Sequence, residues 1–277
     1  MIDNYDYALA DTNKAIQLDP KYEWAYYNRG LIYHIIGDYD RAIEDLDKAI
    51  KANPNYAEAY GARGSAYREK GDNDQAIKDF GEALRLNPKD VSTYWERGVL
   101  YQQKRNTDLA LADYSQAILI DPDLEMVYSA RASLYYYSIY NYDLAIADYD
   151  QIIRINPKNI DAYNDRGKAF IRKKSYDKAI ADFNQAIRLD PDNEGAYGDR
   201  AYAYLQKGDY DKAIMDYNKA IQLNTDSASL YSSRASAYEK KGNYNMAIAD
   251  YEAAFKIDPN YLGLKDNIER VRQKRGN

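Results

Sequence analysis

Every proline in this chain stands at the same place of one internal period. The seven, Pro20, Pro54, Pro88, Pro122, Pro157, Pro191 and Pro259, are separated by 34, 34, 34, 35, 34 and 68 residues, and Thr225 occupies the place that the last interval skips. A fixed period of this length overrides what 277 residues would otherwise say about domain number, because each repeat is then one supersecondary unit. The unit is seen in Glu23–Tyr56: the run WAYYNRGLIYHI, a turn at Gly37 and Asp38, the run DRAIEDLDKAIKA, and a stop at Asn53 and Pro54. Proline cannot continue a helix and disfavours helix in the residue before it. The unit is therefore a helical hairpin. Neither helix is long enough to be stable alone in water, and one hairpin cannot cover its own apolar face, so adjacent units must do so.

Laid out in order, the chain reads as half a repeat at 1–22, full repeats at 23–56, 57–90, 91–124, 125–159, 160–193, 194–227 and 228–261, and a C-terminal capping helix within 262–277, spanning Leu262–Arg275. The fourth full repeat has one extra residue. The inter-helix turn SIYNYD is the expected place for it, since a turn tolerates an insertion that a packed helix does not. Leu264, Ile268 and Val271 give the last helix an apolar stripe for covering the final repeat, which solenoid ends require. A polar cap is favoured there over a lipid- or nucleic-acid-binding role for its basic residues.

Repetition also shows what the periodic residues are for. The first helices carry Tyr26, Tyr60, Tyr94, Tyr128, Tyr163, Tyr197 and Tyr231, a second aromatic seven residues later, and between them a small residue: Gly30, Gly64, Gly98, Ala132, Gly167, Ala201 and Ala235. The second helices carry Ala42, Ala76, Ala110, Ala145, Ala179, Ala213 and Ala247, with a further alanine two turns on that only Ile152 interrupts. Small residues at helical spacing allow close helix approach, with aromatics filling the space around them. The excess of tyrosine, 32 residues, thus belongs to packing before chemistry.

Small residue, aromatic, Gly-Asp-Tyr turn, alanine, aromatic, alanine and Asp-Pro in a 34-residue frame resemble the tetratricopeptide repeat, over Met1–Tyr261. The resemblance implies an all-α fold: a right-handed superhelical solenoid of antiparallel helix pairs whose first helices line a concave surface. Departures are local. Arg105 and Lys174 replace the turn glycine, Thr225 the proline, and Asn73 and Thr107 the turn aromatic.

An arginine precedes each small residue, and an aspartate holds a fixed place in each second helix. The expected intra-repeat ion pairs are Arg29 with Asp45, Arg63 with Asp79, Arg97 with Asp113, Arg131 with Asp148, Arg166 with Asp182, Arg200 with Asp216 and Arg234 with Asp250. A carboxylate that satisfies each guanidinium is favoured over an arginine ladder for anionic ligands, because a paired arginine is neutralised. Asp11 holds the aspartate place of the half repeat without an arginine before it, so the natural protein is expected to continue upstream.

No catalytic motif accompanies the repeats: there is no phosphate-binding glycine loop, dinucleotide fingerprint, HExxH or Gly-x-Ser-x-Gly. No catalytic residue, metal site or cofactor is expected. Absence of cysteine removes disulfides and thiolate chemistry but leaves the compartment open, with a slight preference for the cytoplasm. A net charge of −6 argues against general nucleic-acid binding, and no apolar run is long enough to span a membrane. Function is expected where units differ, on the outward face of the first helices. There the aromatic and apolar residues concentrate toward the N-terminus: Trp24, Tyr27, Leu31, Trp95, Val99, Met126, Tyr136 and Tyr137, against a small and polar C-terminal half. Large side chains that the core does not need are the usual anchors of an interface.

The expectation is a non-catalytic protein-interaction scaffold that takes a peptide or partner protein in this groove, and that exists as a monomer or an edge-mediated homodimer. The alternatives are a self-assembly module and a regulatory region of a longer multidomain protein. A competing reading of Trp24 and Trp95 makes them packing residues. The carboxylate clamp and the asparagine ladder of some tetratricopeptide proteins are missing, since Tyr27, Gly61, Trp95 and Ser129 stand at the clamp lysine place and Ala62, Glu96, Ala130, Asp165, Asp199 and Ser233 follow Asn28.

Overall fold

The computed structural model describes residues 3–261 and 263–276. Met1 and Ile2 of the half repeat, and Leu262 and Asn277 of the cap, lie outside the described residues. The chain forms two compact units, Met1–Arg131 and Ala132–Asn277, and each is described by itself.

The first unit begins with α1 (Asp3–Leu18) and continues as pairs: α2 (Glu23–Ile35) with α3 (Tyr39–Ala52), α4 (Ala57–Glu69) with α5 (Asn73–Leu86), and α6 (Val91–Gln103) with α7 (Thr107–Ile120). It ends inside α8 (Glu125–Ser133). The second unit holds the π-helical continuation of α8, Leu134–Ile139, followed by α9 (Tyr142–Ile155). Its remaining pairs are α10 (Ile160–Arg172) with α11 (Tyr176–Leu189), α12 (Glu194–Lys207) with α13 (Tyr210–Leu223), and α14 (Ala228–Lys241) with α15 (Tyr244–Ile257), before α16 (Leu264–Gly276). Within each unit a helix packs against its hairpin partner and against the next pair.

In these hairpins the small residue of the first helix packs against a large residue of the second. A Cβ added at Gly30 would meet Leu46 Cγ at 2.9 Å, at Gly64 the Phe80 ring at 2.8 Å, at Gly98 the Tyr114 ring at 2.6 Å, and at Gly167 the Phe183 ring at 2.7 Å. Leu46, Phe80, Tyr114, Phe183 and Tyr217 are almost completely buried, and burying each side chain is worth about 1.5–3 kcal/mol. Sequence reasoning gave this space to the first-helix aromatics. The structure gives it to the second helix. The first-helix tyrosines are mostly half-buried, and each carries the guanidinium of the arginine three residues on, 5.4–5.9 Å above its ring.

Helix stops are set by more than proline. α13 ends at Leu223, two residues before Thr225, as α3 ends two residues before Pro54. At these stops the Asn or Asp side chain before the proline place accepts the N–H two residues later, at 3.1 Å from Asn55 to Asn53 and 3.3 Å from Asp226 to Asn224. This Asx turn competes with helix continuation, so Thr225 keeps the stop.

The extra residue of the fourth full repeat is not in the turn. Elsewhere the N–H at the start of the second helix bonds the carbonyl five residues back, as Asp38 to Tyr33 and Asn106 to Tyr101; here Asn141 bonds Tyr135, six back. The intervening residues take π-helical geometry over Leu134–Ile139. Widening the last helical turn keeps its backbone hydrogen bonds, which looping a residue out would forfeit. Tyr140 then enters the left-handed region at φ 59°, where Arg105 and Lys174 also sit, at φ 58° each. Other hairpins have glycine there, Gly37 among them at φ 82°.

The capping helix seats Leu264, Ile268 and Val271 on a core that includes Ala235, Ala247, Tyr251 and Ala254. Its cations are engaged within the unit: Arg270 and Lys274 bond Glu239 at 2.8 and 3.0 Å, and Arg272 bonds Glu252 at 2.7 Å.

Candidate functional site

The regular arginines meet their aspartates two-pronged. Arg29 Nε and Nη2 donate to Asp45 at 2.6 and 2.7 Å. The same fork joins Arg63 to Asp79, Arg97 to Asp113, Arg166 to Asp182, Arg200 to Asp216 and Arg234 to Asp250. Asp148 is buried as well, and Arg131 donates to Ser115 Oγ at 3.0 Å. The remaining nitrogen, Nη1, reaches the preceding hairpin sixteen residues back: Arg29 to Asn13, Arg63 to Asp47, Arg166 to Asp150, Arg200 to Asn184 and Arg234 to Asn218. Each of these arginines therefore binds one hairpin to the one before it. These groups are engaged with the protein and are poor receptors for an outside anion.

In each unit a second set of ion pairs joins successive hairpins. Lys70 pairs with Asp40, Lys104 with Asp74, Lys173 with Asp143, Lys207 with Asp177 and Lys241 with Asp211. These exposed pairs add little stability.

In the first unit, Trp24 is 52% exposed, its ring 6.2 Å from Tyr27 and 5.7 Å from Tyr56, while Tyr27 and Tyr56 stand 5.0 Å apart. Burial raises both tyrosine phenols above their ordinary range, so the cluster is uncharged at neutral pH. Leu31 is half-buried. Trp95 and Val99 are half-buried too, Trp95 packing 5.5 Å from Tyr114 of its own hairpin. Met126 is 55% exposed. The two tryptophans have different ring neighbours, and beside Trp95 its neighbour Glu96 reaches back to the preceding first helix, taking Ser65 at 2.9 Å and Arg68 at 3.1 Å. Tyr56, which completes the Trp24 cluster, precedes its helix and was invisible to a reading of first-helix faces.

In the second unit, Tyr137 is 64% exposed, but Tyr136 is buried at 8%, its ring 4.6 Å from Tyr137 and 5.3 Å from Tyr142. Tyr136 is therefore a wall residue and not an outward anchor. The equivalent Leu205 of a regular helix is buried as well, so the place itself, and not the π-helical turn, turns this side chain inward. The C-terminal half is also less featureless than its sequence suggests. Tyr136, Lys168, Ile171, Arg172, Asp199 and Tyr202 line a cleft of about 320 Å³. Arg172 Nε donates to the Tyr136 hydroxyl at 3.1 Å, and Lys168 bonds Asp165 at 3.1 Å. Burial pushes the Asp199 carboxyl above the usual carboxylate range; Lys168 opposes the shift, and Asp165 and Glu194 add to it. The available signal was the pair of aspartates, Asp165 and Asp199, at equivalent places in successive repeats.

Among the described residues no group of His, Cys, Asp or Glu has the arrangement to hold a metal ion, and no helix is long and apolar enough to cross a membrane.

Stacked helix pairs, small-against-large contacts and forked Arg–Asp pairs define an all-α repeat solenoid. A family model described as TPR repeat matches residues 3–35, 64–104, 167–208 and 201–242, and models described as tetratricopeptide repeat match 23–56, 228–261, 46–78 and 91–124. The chain belongs to the tetratricopeptide repeat family. It is similar in fold to a tetratricopeptide repeat protein from Parabacteroides merdae ATCC 43184, at 24% identity over 90% of this chain and 98% of that one, TM-score 0.57. YrrB, described as a TPR protein with an unusual peptide-binding site, matches at 19% identity over 68% of this chain and 96% of its own, TM-score 0.58. The Naa15/Naa10 structure bound to HypK-THB matches at 16% identity over 91% of this chain and 39% of that one, TM-score 0.63. Comparison with curated protein sequences gives no significant match.

Proposed function

We propose that the chain is a non-catalytic protein-interaction scaffold, and that Met1–Arg131 receives a peptide or a partner protein on its first-helix face. The observation that carries this reading is Trp24, half exposed although stacked against Tyr27 and Tyr56. An aromatic held by its neighbours yet open on one side buries large area on binding at little entropic cost. Leu31, Trp95, Val99 and Met126 extend the apolar surface available to a ligand. YrrB, with its peptide-binding site, is a precedent for such use of the fold.

The test is cross-linked capture of partners with the native chain, a Trp24→Ala variant and a Trp95→Ala variant, each shown to be folded by circular dichroism. Loss of the same partner with Trp24→Ala and weakened capture of it with Trp95→Ala supports the reading. Retention of every partner by both variants refutes this placement.

A second reading, self-assembly, is favoured by α1, where Tyr7 is 73% and Leu18 76% exposed. Sedimentation over a hundredfold range of concentration decides it: a mass that rises to twice the monomer and falls back with Leu18→Glu supports a homodimer through this edge.

A further inference from the structure

The cleft in Ala132–Asn277 combines features that packing alone does not account for. It lies beside the π-helical turn, a geometry that recurs at functional sites. Within that turn stands Tyr136, whose hydroxyl accepts from Arg172 Nε at 3.1 Å. That contact fixes one edge of the guanidinium. The two Nη groups have no acceptor, and Arg172 no acidic partner, among the described residues.

The cleft wall also carries Asp199, a carboxylate without a hydrogen-bond donor among the described residues. Burial disfavours its charged form. Lys168 is already taken by Asp165 at 3.1 Å. The cleft of about 320 Å³ thus presents a half-buried carboxylate that shares its nearby cation, Lys168, with Asp165, and an exposed guanidinium edge without an acidic partner among the described residues. A ligand with a single charge would satisfy one and be repelled by the other.

We propose that this cleft binds an extended peptide segment through two side chains of opposite charge: a basic one that donates to Asp199 and an acidic one whose carboxylate takes the Nη fork of Arg172. Ile171 and Tyr202 supply apolar surface for the aliphatic stems, and the fork suits a carboxylate geometrically as an ammonium would not. In an extended peptide, residues two apart point to the same side, so the segment carries its two charges at i and i+2. This site is separate from the Trp24 surface, and neither proposal depends on the other.

The probes are four capped pentapeptides: acetyl-Ala-Arg-Ala-Glu-Ala-amide and the three in which Gln replaces Arg, Glu or both. Binding is read from the amide and side-chain NMR shifts of Ile171 and Tyr202 in the full chain. The doubly charged peptide is expected to saturate these shifts, with each Gln replacement weakening it about tenfold, as loss of one charge-assisted bond would. Asp199→Asn should abolish discrimination between Arg and Gln but keep that between Glu and Gln; Arg172→Gln should do the reverse. This crossed pattern separates direct pairing from loss of folding, which would erase both preferences together. Absence of a saturable shift at about 10 mM peptide, or preferences unchanged in both variants, overturns the proposal. Free arginine binding as tightly as the pentapeptide overturns the assignment of a peptide as the ligand.

Discussion

Arg234 donates its Nη1 to Asn218 of the preceding hairpin at 2.7 Å while its other two nitrogens hold Asp250 of its own. One side chain thus serves both the fold of a hairpin and its junction with the next. In a repeat protein, stability is the sum of these two kinds of contribution, so the arginine places should be the positions where a single change costs most.

Arg200→Met is expected to destabilise the chain by about 3 kcal/mol, because it leaves Asp216 charged and buried without its fork. Arg200→Met combined with Asp216→Leu should cost much less than either single change, since no charge is then stranded. Asn184→Ala removes only the exposed contact of Arg200 and should cost at most about 1 kcal/mol. Urea titration, with hydrogen exchange to localise the unfolding, measures all three.

Gly81 stands where other repeats supply the junction acceptor, and a Cβ added there would lie 3.7 Å from Arg97 Nη1, an ordinary contact. Gly81→Asn should stabilise by about 1 kcal/mol, through helix propensity and a restored acceptor. Gly98→Ala should do the opposite. Its Cβ would meet the Tyr114 ring at 2.6 Å, and overpacking of about 1–3 kcal/mol outweighs a propensity gain of about 1 kcal/mol. Thermal unfolding of the two variants side by side checks the contrast in sign.

Lys174 holds φ 58° at the turn where four other hairpins use glycine, Gly37, Gly71, Gly208 and Gly242. Lys174→Gly relieves a left-handed cost of about 1–2 kcal/mol against an unfolded-state entropy penalty of about 0.4–1 kcal/mol. The melting temperature should therefore rise. Arg105→Gly and Tyr140→Gly should follow it in sign.

Asp199→Asn should stabilise the unliganded chain at neutral pH and leave it unchanged in strong acid. The folded carboxyl is raised by burial, so the native state holds its proton more tightly than the unfolded chain. That contribution is fully present below the ordinary carboxylate range and is lost as pH rises through the folded pKa. Unfolding free energies of both proteins, measured from about pH 3 to 8, should converge at the acid end and diverge above it.

Much of the fold is legible in the chain because its causes are local and repeated. Pro54 and its equivalents mark the ends, Gly30 faces a second helix because small residues recur at that place, and Arg29 meets Asp45 because a hairpin of fixed length brings those two places together. The extra residue of the fourth full repeat shows the limit. Helical patterns resume on both sides of it, which pointed to the turn, but a widened last helical turn leaves both patterns intact as well. Tyr136 was misplaced for a different reason: its place is nowhere exposed along the repeats, and Leu205, its equivalent in a regular helix, is buried too. The C-terminal half looked small and polar because Lys168, Arg172 and Asp199 were each judged separately.

The period, the helix pairs and the Arg–Asp forks were determined by the sequence itself, since each depends on residues within one hairpin, where spacing along the chain dictates position in space. Only the tertiary structure decided that Nη1 of those arginines crosses to the preceding hairpin, that Tyr56 completes the Trp24 cluster, and that Asp199 and Arg172 share a cleft. These relationships depend on how neighbouring hairpins approach, and on which charges their contacts leave unanswered.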